Sequence, residues 1–147
     1  MKRFLVTLTI TLSLISLSSF ASEEEVVSAK AMESFRSAFK SATEVTWSVS
    51  KSYYKAKFSL NGQYVSAYYD EQGKMIALTR NISSLQLPIA LQAELKKMYD
   101  SYWITDLFEL ANEDGTSYYI TLEDARSKIV LKSTGADWAT YQKQRKS

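Results

Sequence analysis

Apolar positions early in the chain recur at two different periods. Val27, Ala31, Phe35, Ala38 and Phe39 fall at helical spacing and form a single stripe. They predict a helix that opens on Glu23-Glu24-Glu25, where three acids meet the positive end of the helix dipole, and runs to about Ser41. From Thr43 the pattern turns to β-rich, and Thr43 to Val49 reads as a strand. The clearest local signal lies between Tyr53 and Asp70. Two alternating strands there flank Asn61-Gly62, the favoured pair for a two-residue type I′ turn. Such a turn pairs Leu60 with Gln63, Phe58 with Val65, Ala56 with Ala67 and Tyr54 with Tyr69, which puts the apolar residues on one face. The other face carries Tyr53, Lys55, Lys57, Ser59, Tyr64, Ser66 and Tyr68.

Asp70-Glu71-Gln72-Gly73 reads as a second turn and Lys74 to Arg80 as the next strand. After a loop over Asn81 to Leu87, Pro88 sits at the first turn of a second helix, where its missing N–H costs nothing. The apolar stripe of that helix is Leu87, Leu91, Leu95, Met98 and Tyr102. Strand-like runs follow at Trp103 to Ala111, Thr116 to Leu122, Lys128 to Ser133 and Asp137 to Tyr141. Tyr54, Ala56, Phe58, Val65 and Ala67 match Tyr118, Ile120, Leu122, Ile129 and Leu131 at a constant offset of 64 residues. That offset predicts an α+β fold of two tandem helix-plus-antiparallel-sheet repeats, as two antiparallel sheets or one continuous sheet of both halves, with the helices packed on one face of the sheet. The first repeat covers about residues 22–82 and the second about 83–147.

The N-terminus changes the picture of where the domain works. Lys2 and Arg3, the uncharged apolar run Phe4 to Leu17 and the small residues of Ser19-Phe20-Ala21 have the order of an export signal cleaved after Ala21. The run is short for a membrane span and is studded with Thr and Ser, so no stable membrane insertion is expected after cleavage. The reading is a periplasmic or secreted domain over residues 22–147. Losing Lys2 and Arg3 from 18 basic residues leaves 16, matched by 16 acids. A neutral chain has no excess of Lys and Arg for phosphates, so no nucleic-acid partner is expected. The chain contains no Cys, so the exported domain must be stable by packing alone, which its length permits.

Catalytic readings lack their parts. The chain has neither His nor Cys, which removes His-dependent triads, Cys nucleophiles and the usual zinc ligands. Ser37 and Lys40 match S-x-x-K spacing without its companion motifs. The acid pairs Asp70-Glu71, Glu113-Asp114 and Glu123-Asp124 fall in turns, where acids are ordinary turn formers. Asn112-Glu113-Asp114-Gly115 lacks the alternating oxygen ligands of a calcium loop. No catalytic residue, metal site or cofactor is therefore assigned. The remaining candidate is a binding surface of Tyr53, Lys55, Lys57, Tyr64 and Tyr68, continued by Tyr119 with Thr121 and Lys132 in the second half. Tyr beside Lys stems offers rigid amphipathic area of the kind enriched at protein interfaces, and Tyr is also a good strand former in its own right.

The order helix, Val45-Thr46-Trp47, Tyr54-Lys55-Ala56-Lys57-Phe58, Asn61-Gly62, Tyr68-Tyr69-Asp70-Glu71-Gln72-Gly73-Lys74, then Leu87-Pro88 and a helix resembles small exported bacterial proteins described as PepSY-like or β-lactamase-inhibitor-like (BLIP-like). The resemblance spans nearly all of Glu24 to Lys143, and it lies in the order of generic strand and turn residues. It implies the two-repeat fold and, more distantly, inhibition or control of an envelope enzyme. The β-lactamase inhibitor protein presents a concave sheet to its target and carries disulfides, which this chain lacks. The expectation is thus a periplasmic, non-catalytic binding module whose partner is another envelope protein. The alternatives are a small-molecule or envelope-polymer binder and, last, a carboxylate-based hydrolase.

Overall fold

The computed structural model describes residues 26–147, so the export signal and Glu23-Glu24-Glu25 lie outside the described residues. Helix α1 spans Ala29–Ala38 and is followed by strands β1 (Thr43–Val49), β2 (Tyr54–Leu60), β3 (Gln63–Tyr69) and β4 (Met75–Asn81). A short 3-10 turn over Ser84–Gln86 leads into α2 (Ile89–Met98), then β5 (Trp103–Asn112), β6 (Gly115–Glu123), β7 (Ser127–Ser133) and β8 (Ala139–Arg145). The eight strands form one antiparallel meander in sequence order.

This corrects the expected pair of tandem helix-plus-antiparallel-sheet repeats. The described residues form mainly a single eight-stranded antiparallel sheet with two short helices. The overturning observation is the predominance of strand over helix in one sheet, whose halves are joined by the pairing of β4 with β5: Leu78 faces Ala111, Thr79 faces Leu110, Arg80 faces Glu109 and Asn81 faces Phe108. A bare strand edge invites further pairing, and joining β4 to β5 removes two edges at once. Residues matched at the offset of 64 therefore sit in the same sheet.

The first helix also begins later than expected. Ser28 is its N-cap, with its Oγ accepting a hydrogen bond from Ala31 N at 3.1 Å, and the first turn contains no acid. The turn chemistry of the hairpin is as the sequence predicts. Asn61 and Gly62 both have positive φ, 52° and 79°, and the pairs Leu60–Gln63, Phe58–Val65, Ala56–Ala67 and Tyr54–Tyr69 all form.

One face of the sheet is covered by the helices. Ala31 and Phe35 of α1 pack with Ala56, Phe58, Val65, Ala67 and Tyr69. Leu91 of α2, with Ile82 and Leu87 from the preceding loop, packs with Leu107, Ile120, Leu122, Ile129 and Leu131. Met98 is exposed rather than in the stripe, and Tyr99 packs on the core in its place. Where the two clusters part, the same face carries an ion pair instead of apolar residues. Arg80 Nε and Nη2 meet the two carboxylate oxygens of Glu109 at 3.0 and 3.2 Å across the β4–β5 pairing. The hydrogen bond and the charge of the Glu109 carboxylate raise the Arg80 pKa still further, so Arg80 stays a cation.

Tyr69 is 1% exposed, yet its hydroxyl has no hydrogen-bond partner among the described residues. Burial alone pushes its phenol pKa up. A buried, unpaired hydroxyl costs about 1–3 kcal/mol of desolvation. Tyr69→Phe keeps the ring against Trp47 (centroids 5.9 Å apart) and should leave the melting temperature unchanged or raise it. A clear fall in melting temperature would mean that an ordered water satisfies the hydroxyl.

Candidate functional site

Strand alternation decides which side chains reach the face without helices. With Ala56, Phe58, Val65 and Ala67 in the core, Lys55, Lys57, Ser59, Tyr64, Ser66 and Tyr68 must point the other way. Lys55 Nζ lies over the Tyr68 ring at 5.5 Å from its centroid, and Lys57 Nζ over the Tyr64 ring at 5.3 Å. Tyr53, just before β2, packs edge-on against Tyr68 with centroids 5.3 Å apart. Five of the six expected surface residues therefore form one cluster on β2 and β3.

The sixth, Tyr119, stands apart on β6. Its ring stacks on Phe108 of β5 at 5.1 Å and 9°, meets Tyr141 of β8 edge-on at 5.6 Å, and lies 5.4 Å from Lys132 Nζ. The register places it on the same side, because Leu107 pairs with Ile120 in the core and Phe108 with Tyr119 away from it. Between the two clusters the middle strands present mostly short side chains: Ser66, Ala77, Thr79 and Ser117, with Leu110 among them. At the far end Lys146 Nζ sits 5.2 Å from the Trp103 ring centroid. All four Lys-over-aromatic contacts among the described residues are on this uncovered face. Each contributes only about 0.5–1 kcal/mol at an exposed site, so together they order the surface more than they hold the fold.

Several members were missed in the sequence. Glu44 is one: β1 is bulged between Thr43 and Thr46, and Glu44 has a φ of 54°, unusual for a residue with a side chain. Its Oε2 accepts a hydrogen bond from the Tyr64 hydroxyl at 2.9 Å, reaching across β2 to β3, and this bond raises the Tyr64 pKa. A bulge has no sequence signature here. Phe108, Tyr141 and Trp103 were read only as strand residues, and the register that places them depends on partners far along the chain.

The acid pairs are occupied by local structure. Asp70 Oδ1 accepts from the backbone of Gln72 and Lys74 at 3.0 and 2.9 Å, and Glu113 pairs with Lys74 at 2.9 Å. Asp124 Oδ1 accepts from Arg126 N and from the Ser127 backbone and hydroxyl, and these bonds, led by that from Arg126, lower its pKa. Among the described residues no group of three or more acids converges on a point where a metal ion could sit. No helix among them is long and apolar enough to cross a membrane.

The fold, an antiparallel sheet with short helices on one face, is similar to that of solved BLIP-like and DUF2874 family proteins. The chain resembles a BLIP-like protein from Bacteroides fragilis at 18% identity and TM-score 0.69, covering 82% of this chain and 86% of that one. It resembles a DUF2874 family protein from Bacteroides uniformis at 16% identity and TM-score 0.73, covering 82% and 90%. A protein from Bacteroides eggerthii, provisionally designated periplasmic, is similar at 13% identity and TM-score 0.72, covering 82% and 89%. No protein-family model matches the sequence, so the PepSY-like part of the resemblance has no support from that side. No curated protein matches it either.

Proposed function

We propose that this protein is a non-catalytic binding module of the bacterial envelope that engages a protein partner through the uncovered sheet face, acting as an inhibitor or regulator of an envelope enzyme. The observation that carries this reading is that all four Lys-over-aromatic pairs among the described residues lie on the face that the helices leave bare. Such rings are held in place before any partner arrives, which lowers the ordering cost of association. Aromatic residues of this kind are enriched among those that dominate interface energies. The designation of the Bacteroides eggerthii neighbour supports a periplasmic location, as does the export pattern of Met1 to Ala21. N-terminal sequencing of the exported protein should begin at Ser22, whereas a membrane-bound form still starting at Met1 would make the segment an anchor.

The face can be tested separately from the fold. Tyr64 is 56% exposed, and its hydroxyl bond to Glu44 is at the surface. Tyr64→Ala and Tyr68→Ala should each change stability by no more than about 1 kcal/mol. Both should lose the partner that the wild-type domain captures from its own envelope extract, while a change on the helical side at exposed Met98 retains it. Folded Tyr variants that still hold the partner would put the binding surface elsewhere.

A further inference from the structure

On the opposite side of the molecule, the end of α1 and the edge strand β1 border an open cavity of about 560 Å³. That volume lies within the ~300–1,000 Å³ usual for small-ligand sites. Its apolar wall is Phe35, Phe39, Val45 and Trp47, and its polar rim is Arg36 and Lys40. The aromatic rings are fixed by one another: Phe35 lies 5.4 Å from Trp47 and 4.9 Å from Phe58, and Phe39 lies 4.7 Å from Phe58. Val45 remains 39% exposed, with nothing among the described residues covering it.

Arg36 and Lys40 make no ion pair with any described acid. Both offset the carbonyl end of α1, which is reason enough for cations there without a ligand. What goes further is that the two cations, without an ion pair among the described residues, border an open apolar cavity, the arrangement that suits a molecule with an apolar body and an anionic head. A peptide strand added along β1 fits less well, because the bulge at Thr43 to Thr46 and the positive φ of Glu44 break the edge. The smaller cavity beneath α2, about 310 Å³, is bordered by Asp100 as well as Lys96, so its rim does not favour an anion.

We propose that the cavity between α1 and β1 binds a single-chain anionic amphiphile, with its tail against Phe35, Phe39, Val45 and Trp47 and its head group between Arg36 and Lys40. The site is on the far side of the sheet from the Tyr and Lys face, so its fate and that of the partner-binding reading are independent.

The test is calorimetric titration of residues 22–147 with laurate and, as the cationic counterpart, dodecyltrimethylammonium, both below their micellar concentrations. Laurate should bind at one site and the cationic amphiphile far more weakly. Arg36→Gln with Lys40→Gln changes two exposed residues and should weaken laurate by about tenfold or more, through loss of charge-assisted hydrogen bonds. Ala42→Trp, which places a large side chain in the same cavity, should abolish binding while thermal melting shows the domain still folded. Absence of laurate binding would overturn the proposal. So would equal binding of the two head groups, or laurate affinity unchanged in the Gln pair or in a folded Ala42→Trp variant.

Discussion

Replacing Gly73 by Ala should lower stability by roughly 2–4 kcal/mol, well beyond the usual cost of a surface substitution. Gly73 closes the β3–β4 turn, donating its N–H to the Asp70 carbonyl at 3.1 Å, with a φ of 81° that residues with a Cβ rarely adopt. It is also buried beneath the start of α1. A Cβ there would stand 2.7 Å from the Lys30 carbonyl oxygen and 2.8 Å from its carbonyl carbon. Those are backbone atoms of a helix, so relief would mean lifting α1 away from the sheet. Gly62 provides the internal comparison. Its φ of 79° is nearly the same, but a Cβ would meet nothing within 4 Å. Gly62→Ala should therefore cost only the conformational part, about 1 kcal/mol, and a β-branched Val at the same place somewhat more. Chemical denaturation of both Ala variants isolates the helix contact as the difference between them. Equal losses would mean that α1 does not rest on the turn in solution.

The contrast between these turns also shows what could be read from the sequence. The hairpin register was legible because Asn61-Gly62 fixes it locally, and the alternation on both strands agrees with that register. The same alternation put Tyr53, Lys55, Lys57, Tyr64 and Tyr68 on one face without knowledge of any distant partner. The pattern left open whether the two halves fuse into one sheet. Fusion depends on β4 meeting β5 across the whole α2 segment, and a repeated pattern with constant offset is equally compatible with separate sheets. The helix start was misplaced for a different reason. Glu23-Glu24-Glu25 suits a first turn, yet Ser28 three residues before Ala31 was the cap signal that counted. In α2, Met98 and Tyr99 are adjacent, and helical spacing from Leu91 and Leu95 allows either one onto the core. Packing selects the aromatic ring.

Phe58→Ala should be the most damaging single truncation in the α1 half, at about 3–5 kcal/mol. Phe58 is fully buried at the centre of β2, and its ring touches both large anchors of the first helix: Phe35 edge-on at 4.9 Å and Phe39 at 4.7 Å. The loss has two parts. One is the transfer of the ring itself, and the other is a cavity that cannot easily collapse, because Ala56, Ala67 and Ala31 around it are too short to fill the space. A stability of about 5–15 kcal/mol is normal for a domain, so a change of this size consumes a large share of it. The effect should also be local in the first instance. Because α1 is held to the sheet largely through Phe35 and Phe39 on Phe58, its amides should lose hydrogen-exchange protection before those of β6 and β7, whose core around Ile120 and Leu131 is a separate cluster. Denaturation measured beside residue-resolved exchange would distinguish the two. A loss below about 1 kcal/mol, or equal weakening of exchange protection in α1 and β6, would mean that the two clusters behave as one core and that Phe58 is not the residue on which α1 depends.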